Sequence, residues 1–213
     1  MQGEALLTAL YLGDSAYPSG VFAFSWGLEV ALAEGQADPH GLADWIGAEL
    51  SGRWHPFDRV ALAGGFRAVG QDLAAWNGLV DEAIPADPQR LQSLQAGAAL
   101  IASARRMGID PDAALDPDAT HAPVAHGHVL ARAGMELAPA LAVSGMGMAR
   151  GLASAALRLG RVGAVAVQRD LRGLIPLIAR LATVPDPGDR PASFAPLSDI
   201  ALMRPLAGRL FVN

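Results

Sequence analysis

Residues 14–35 read DSAYPSGVFAFSWGLEVALAEG. Tyr17-Pro18-Ser19-Gly20 has the composition of a turn, with proline presetting one dihedral and glycine free to take a positive φ. Phe22, Phe24 and Trp26 follow, spaced by small residues. A turn carrying three apolar rings belongs against a core rather than in solvent. Ser25 is placed to cap a helix beginning near Trp26, with Leu28 and Glu29 in its first turns. The stretch therefore reads as a packed corner feeding a helix.

Outward from this corner the chain reads as helix. It has 213 residues, of which 52% are hydrophobic and 17% charged, enough apolar material for one substantial core. Ala and Leu dominate, while β-branched and aromatic residues are scarce, which favours helices over strands. Upstream, Glu4 to Leu12 forms a short helix. Downstream, Asp38-Pro39 and Asp87-Pro88 are helix starts of the Asp-cap, Pro-first kind. The first leads a helix with Leu42, Trp45, Ile46 and Leu50 on one face, interrupted at Trp54-His55-Pro56. Leu62, Phe66, Val69, Leu73 and Trp76 then recur at helical spacing as a core stripe. Residues 77–87 read as a connection. Leu91, Leu94, Ala98 and Ile101 form the inner face of the next helix, and residues 108–122 a long Asp/Pro/Gly-rich loop that contains a third Asp-Pro pair.

Pro123 to Gly134, Glu136 to Arg158 and Gly163 to Ala182 complete the helices. Leu141, Met148, Leu152 and Ala155 face inward in the second, and Leu171, Leu174, Ile175, Ile178 and Leu181 in the third. Gly145, Gly147 and Gly151 each cost a helix roughly 1 kcal/mol relative to Ala, a cost that close approach of another helix offsets. Residues 184–195 form a Pro-rich linker to a C-terminal segment, 196–213, whose apolar end must dock on this chain or on a partner. The expectation is an all-α, single-domain bundle over residues 1–213 with about eight to ten helices.

Composition excludes several functions. Every basic side chain besides histidine is Arg, so no P-loop, Schiff-base or kinase lysine exists. The net charge of −5 and the scattered arginines argue against a nucleic-acid partner. The absence of cysteine removes disulfides, thiolate metal sites and Cys nucleophiles and fits a reducing compartment. Glu4 stands where a signal peptide needs basic residues. The apolar run 133–149, broken by Glu136 and Pro139, is too short for a membrane span. A cytoplasmic protein without membrane contact is expected.

Few constellations carry chemistry. His121, His126 and His128 are close in sequence and could hold a metal. On a helix, however, residues two apart point about 200° away from each other, so His126 and His128 would chelate only from a non-helical segment. Ala23-Phe24-Ser25-Trp26-Gly27 resembles a nucleophile elbow, but Pro18 and Gly20 sit where its strand should run. Gly145-x-Gly147-x-x-x-Gly151 lacks the spacing and strand of a dinucleotide loop. Arg158 closes a Gly- and Ala-rich helix just before Leu159-Gly160, where a fixed guanidinium could grip a partner's carboxylate.

The order and spacing of Ser15, Pro18, Gly20, Phe22, Ser25 and Gly27-Leu28-Glu29 resemble the N-terminal signature of the UreF family of urease accessory proteins. His121-x-Pro123-Val124-x-x-Gly127, Ala156-Leu157-Arg158-Leu159-Gly160 and Arg209-Leu210-Phe211 are similar to later family segments in the same order. Where the family often continues Gly-Gln, this chain has Gly163-Ala164, with Gln168 four residues on. Met203-Arg204-Pro205 stands where His-Glu is common, and Trp26 replaces a smaller residue.

The resemblance implies a helical, homodimeric, non-enzymatic chaperone. It would bridge the UreD (UreH) accessory protein and the UreG GTPase while nickel is inserted into apo-urease. On this reading no cofactor is held tightly and nickel is handled in the complex. Arg158 and Gln168 are the expected UreG contacts, and the tail with Arg209, Leu210 and Phe211 the expected UreD contact. The alternatives are a diverged adaptor for another GTPase or metalloenzyme, a serine hydrolase built on Ser25, and a nickel chaperone using the three histidines.

Overall fold

The computed structural model describes residues 2–14, 17, 25–183 and 190–192. The signature residues Ser15, Pro18, Gly20 and Phe22, most of the linker, and the segment 196–213 with Arg209, Leu210 and Phe211 lie outside the described residues. Among those described the regular structure is all helical: α1 (Gln2–Leu12), α2 (Leu28–Ala33), α3 (Leu42–Glu49), α4 (Arg59–Arg67), α5 (Gln71–Ala83), α6 (Asp87–Arg106), α7 (Ala122–Arg132), α8 (Leu137–Arg158) and α9 (Ala164–Thr183). A 3-10 turn, Pro39–Gly41, precedes α3, and Asp38 caps it by accepting the His40 N–H at 2.8 Å.

Between α3 and α4 the backbone does not break at Trp54-His55-Pro56. It widens into a π-helical segment, Leu50–Asp58, that joins the two helices into one rod. Proline has no N–H to give an α-helical ladder and its ring crowds the preceding turn. The wider π turn accommodates both defects without ending the helix. Pro56 keeps its carbonyl, which accepts the Ala192 N–H at 3.0 Å and ties down the chain beyond α9.

The rod organises the packing. Its α4 half lies against α7, which in turn packs on α6. Its α3 half lies against α9, and α8 packs on both α9 and the rod. Contact between α4 and α7 is at backbone distance: a Cβ on Gly127 would strike the Leu62 carbonyl, and one on Gly65 the Val124 carbonyl. Gly97 meets the Thr120 carbonyl in the same way. One core runs through the assembly, from Leu28 and Ile46 through Trp54 and Leu62 to Leu130, Leu152 and Ile178. By length and hydropathy α8 could cross a bilayer, but more than half of its most apolar stretch is buried inside the fold, as in a core helix.

Several sequence expectations are corrected. Residues 77–83 are not a connection, because α5 runs through to Ala83. The stripe from Leu62 to Trp76 spans two helices, since Gly70 takes a φ of 56° and restarts the chain. Val69, at the break, is 68% exposed. In α6 the expected Ile101 is buried and Leu94 and Ala98 are half-buried, but Leu91 is exposed and the inner face is turned toward Gln89, Gln92, Ser93 and Ala96. Ile175 of α9 is half-exposed beside the buried Leu174 and Ile178. Ser25 does not cap α2 with its side chain. Trp26 and Gly27 both have positive φ, 51° and 82°, so the helix begins only at Leu28, whose N–H donates to the Ser25 carbonyl at 3.0 Å.

Candidate functional site

The richest polar cluster is the corner where α5, α6 and α7 meet. Pro123 at the start of α7 fixes the helix origin, which leaves His121 as the residue before it, in extended conformation. His121 is buried, with Nδ1 3.1 Å from Ser93 Oγ of α6 and Nε2 3.2 Å from Asp81 Oδ1 of α5. Its backbone N–H donates to Asn77 Oδ1 at 2.9 Å, and the Ala122 N–H donates to Ser93 Oγ at 3.2 Å. Arg90 completes the cluster, donating from Nε to Asp81 Oδ1 at 2.7 Å and from Nη2 to the Asp81 carbonyl at 3.0 Å.

The Arg90 hydrogen bond holds the Asp81 carboxyl below the usual carboxylate range. Burial pushes His121 down, against the pull of Asp81. A carboxylate accepts, so Nε2 carries the imidazole proton and Nδ1 takes the Ser93 hydroxyl hydrogen. Asp81, His121 and Ser93 thus stand in the order of a nucleophilic triad. Ser93 Oγ, however, is buried in mid-helix and already receives the first N–H of α7. The arrangement acts as a cap supplied from a neighbouring helix, and it pins the start of α7 to α5 and α6.

The three histidines do not converge. His128 sits on the other side of α7 from His126, and its Nε2 accepts the Asp112 N–H at 3.1 Å. The Asp112 carboxylate in turn receives the Ala114 N–H at 2.9 Å and the Gly70 N–H at 3.3 Å. Burial pushes His128 down, against the Asp112 charge beside it. His126 faces a cavity under α8, where burial takes it down to about 4. Among the described residues no three His, Cys, Asp or Glu side chains group as a metal site.

The same cavity is walled by Trp26, whose ring lies 3.4 Å beneath the Arg53 guanidinium. Arg53 Nε is 3.2 Å from the Asp58 carboxylate. Burial pushes Asp58 up, against the pull of Arg53. Sequence reading missed this group and the α5–α6–α7 corner, because their members are far apart in the chain. Local patterns showed only His121 and Trp26.

Arg158 is the exposed last residue of α8, before a turn closed by Gly160 at φ 67°. Gln168, on α9 past the turn, is exposed as well. Leu157 and Val165 add exposed apolar surface to the same end of the molecule. Ser25 is wholly buried.

Fold and sites together define an all-helical protein whose buried polar clusters hold helices to one another. Comparison with known proteins makes this specific. A model of the UreF family matches residues 36–175. A urease accessory protein UreF from Cereibacter sphaeroides is 33% identical over 207 residues, covering 94% of each chain. Another from Brucella ovis is 30% identical over 183 residues, covering 84% of this chain and 79% of the relative. The chain belongs to the UreF family of urease accessory proteins.

Proposed function

We propose that the protein is the scaffold on which a UreD-like protein and a UreG-like GTPase meet during nickel insertion into apo-urease, in the cytoplasm and as a homodimer. Nickel is the cargo of the assembly. The observation that carries the reading is full-length likeness to urease accessory proteins, spanning 94% of both chains in the Cereibacter match. The exposed end of α8 and start of α9 supports a division of labour: Arg158 and Gln168, both exposed, are the contacts for the GTPase. The tail with Arg209, Leu210 and Phe211 is assigned to the UreD-like partner.

Deleting the gene should leave urease assembled but without nickel, measured by metal analysis of the purified enzyme. Normal nickel content in that strain would overturn the reading and favour an adaptor for another metalloenzyme. Arg158→Ala should abolish co-elution with UreG at unchanged helical signal. Removing residues 203–213 should abolish co-elution with UreD alone.

A further inference from the structure

The cavity that the described residues form under α8 is not explained by the scaffold role. It is a partly open pocket with about 130 Å³ of space, similar in volume to the roughly 150 Å³ that holds a benzene ring in an engineered apolar core. Its walls are mainly apolar, with Trp26, Trp54 and Phe57 on the side of the rod and α8 across from them. Two polar side chains that line it are at least nine-tenths buried and have an atom without a hydrogen-bond partner: the Tyr17 hydroxyl and Gln89 Oε1. A buried donor and a buried acceptor left unmade each weigh against folding, so their retention beside open space points to something that satisfies them. Trp26, moreover, is held at φ 51°, a conformation bulky residues rarely take, and its ring forms part of the wall.

We propose that this cavity binds a small neutral molecule with an apolar, ring-sized body and a polar group able to accept from Tyr17 or donate to Gln89.

The charged groups of the wall support neutrality. Arg53 is engaged by Asp58, and Arg150 donates to the Gly13 carbonyl. Burial holds three further members of the wall toward their uncharged forms: it takes His126 down to about 4, takes Tyr17 up to about 12, and raises Asp58. A site that discourages charge on its own walls discourages it equally on a guest. An apolar wall with a few placed polar groups is the usual make-up of a small-molecule pocket.

Phenol is the probe, toluene the isostere without the hydroxyl, and benzoate the charged control. Binding is read from the four indole N–H resonances of the full-length protein. Phenol should shift the Trp26 and Trp54 signals saturably, with half-saturation on the order of 1 mM for a ligand of roughly seven heavy atoms. Toluene should bind more weakly, and benzoate should leave the signals in place. Gly147 lines the cavity and has open space where a side chain would grow, so Gly147→Leu fills it from a helical position that favours Leu over Gly. That variant should keep or raise the thermal midpoint and lose the phenol response. Gln89→Leu should weaken phenol about fivefold without weakening toluene. The proposal is overturned by the absence of a saturable phenol shift, by an undiminished response in folded Gly147→Leu, or by benzoate binding as tightly as phenol.

Discussion

Helices α7 and α8 both carry glycine in mid-helix, yet they use it in opposite ways. In α7, Gly127 is pressed against the backbone of α4, and the helix start is tied into α5 and α6 by His121. In α8 only Gly145 meets neighbours, with a Cβ there coming within 3.1 Å of Trp54 and Ile178, while Gly147 and Gly151 face open space. The same residue type thus marks a closed contact in one helix and a vacant face in the other. Glycine spacing cannot distinguish these cases; only the third dimension does.

The contrast can be broken or sharpened by substitution. Gly127→Ala should be the most damaging, because neither the Leu62 carbonyl nor its helix can retreat. A loss of about 3 kcal/mol or more is expected in urea unfolding, at the upper end for overpacking. A Gly127→Ala variant as stable as the parent would dissolve the distinction between the two helices. His121→Ala should lose about 2–3 kcal/mol, since it empties a buried site and leaves the buried Ser93 hydroxyl without its acceptor. His121→Asn, able to keep one of the bonds, should lose less.

Acid should act through α7 as well. His121, His126 and His128 all have folded pKa values below the unfolded value of about 6.5. The unfolded chain therefore binds protons first as pH falls. The contribution of these side chains is intact above about pH 7 and is lost from about 6.5 downward, toward about 4 for His126. Asp58, raised by burial, works in the opposite direction but is common to parent and variant. The drop in unfolding free energy between pH 7 and 5 should accordingly be smaller in His126→Asn than in the parent.

Smaller effects are expected on the open face. Gly151→Ala should stabilise the isolated chain by up to about 1 kcal/mol, or roughly 2–4 °C in melting temperature. A loss instead would mean that the face is covered in solution. Arg158→Ala, at the exposed end of α8, should lose no more than about 1 kcal/mol, and its melting temperature beside the parent's separates loss of recognition from loss of its contacts within the chain.

Much of the fold was legible because period and punctuation agree in most of the helices. Asp38-Pro39 and Asp87-Pro88 mark real starts, residues 108–121 are an irregular connection, and the inner faces of α8 and α9 follow helical spacing apart from Ile175. Errors arose where one signal had two physical outcomes. Pro56 reads as a stop, but a wider helical turn can also absorb it. Val69 fits the stripe, but Gly70 breaks the helix beside it. In α6 the buried side includes Gln89, Gln92 and Ser93, whose polarity argued for the outside until Ser93 found His121 and the α7 start.

The candidate sites were less legible. His126 and His128 were expected to diverge on a helix, and they do. The partners of His121, however, lie 28 and 40 residues away, beyond any local pattern. The opening stretch supplied the family resemblance by its spacing, whereas its physical reading placed the α2 start two residues too early, because nothing local announces that Trp26 and Gly27 are both left-handed.

The π-helical segment has one more consequence. Each residue added to or removed from an α-helix turns everything beyond it by about 100°. Because Leu50–Asp58 is wound more loosely than its flanks, α3 and α4 are out of phase with the single α-helix that their sequence would otherwise make. The segment works as a gearbox between two separately meshed halves, one on α9 and one on α7. A chain that lost one residue here could tighten the winding and keep a continuous rod, but it would present the wrong teeth to one of its two neighbours.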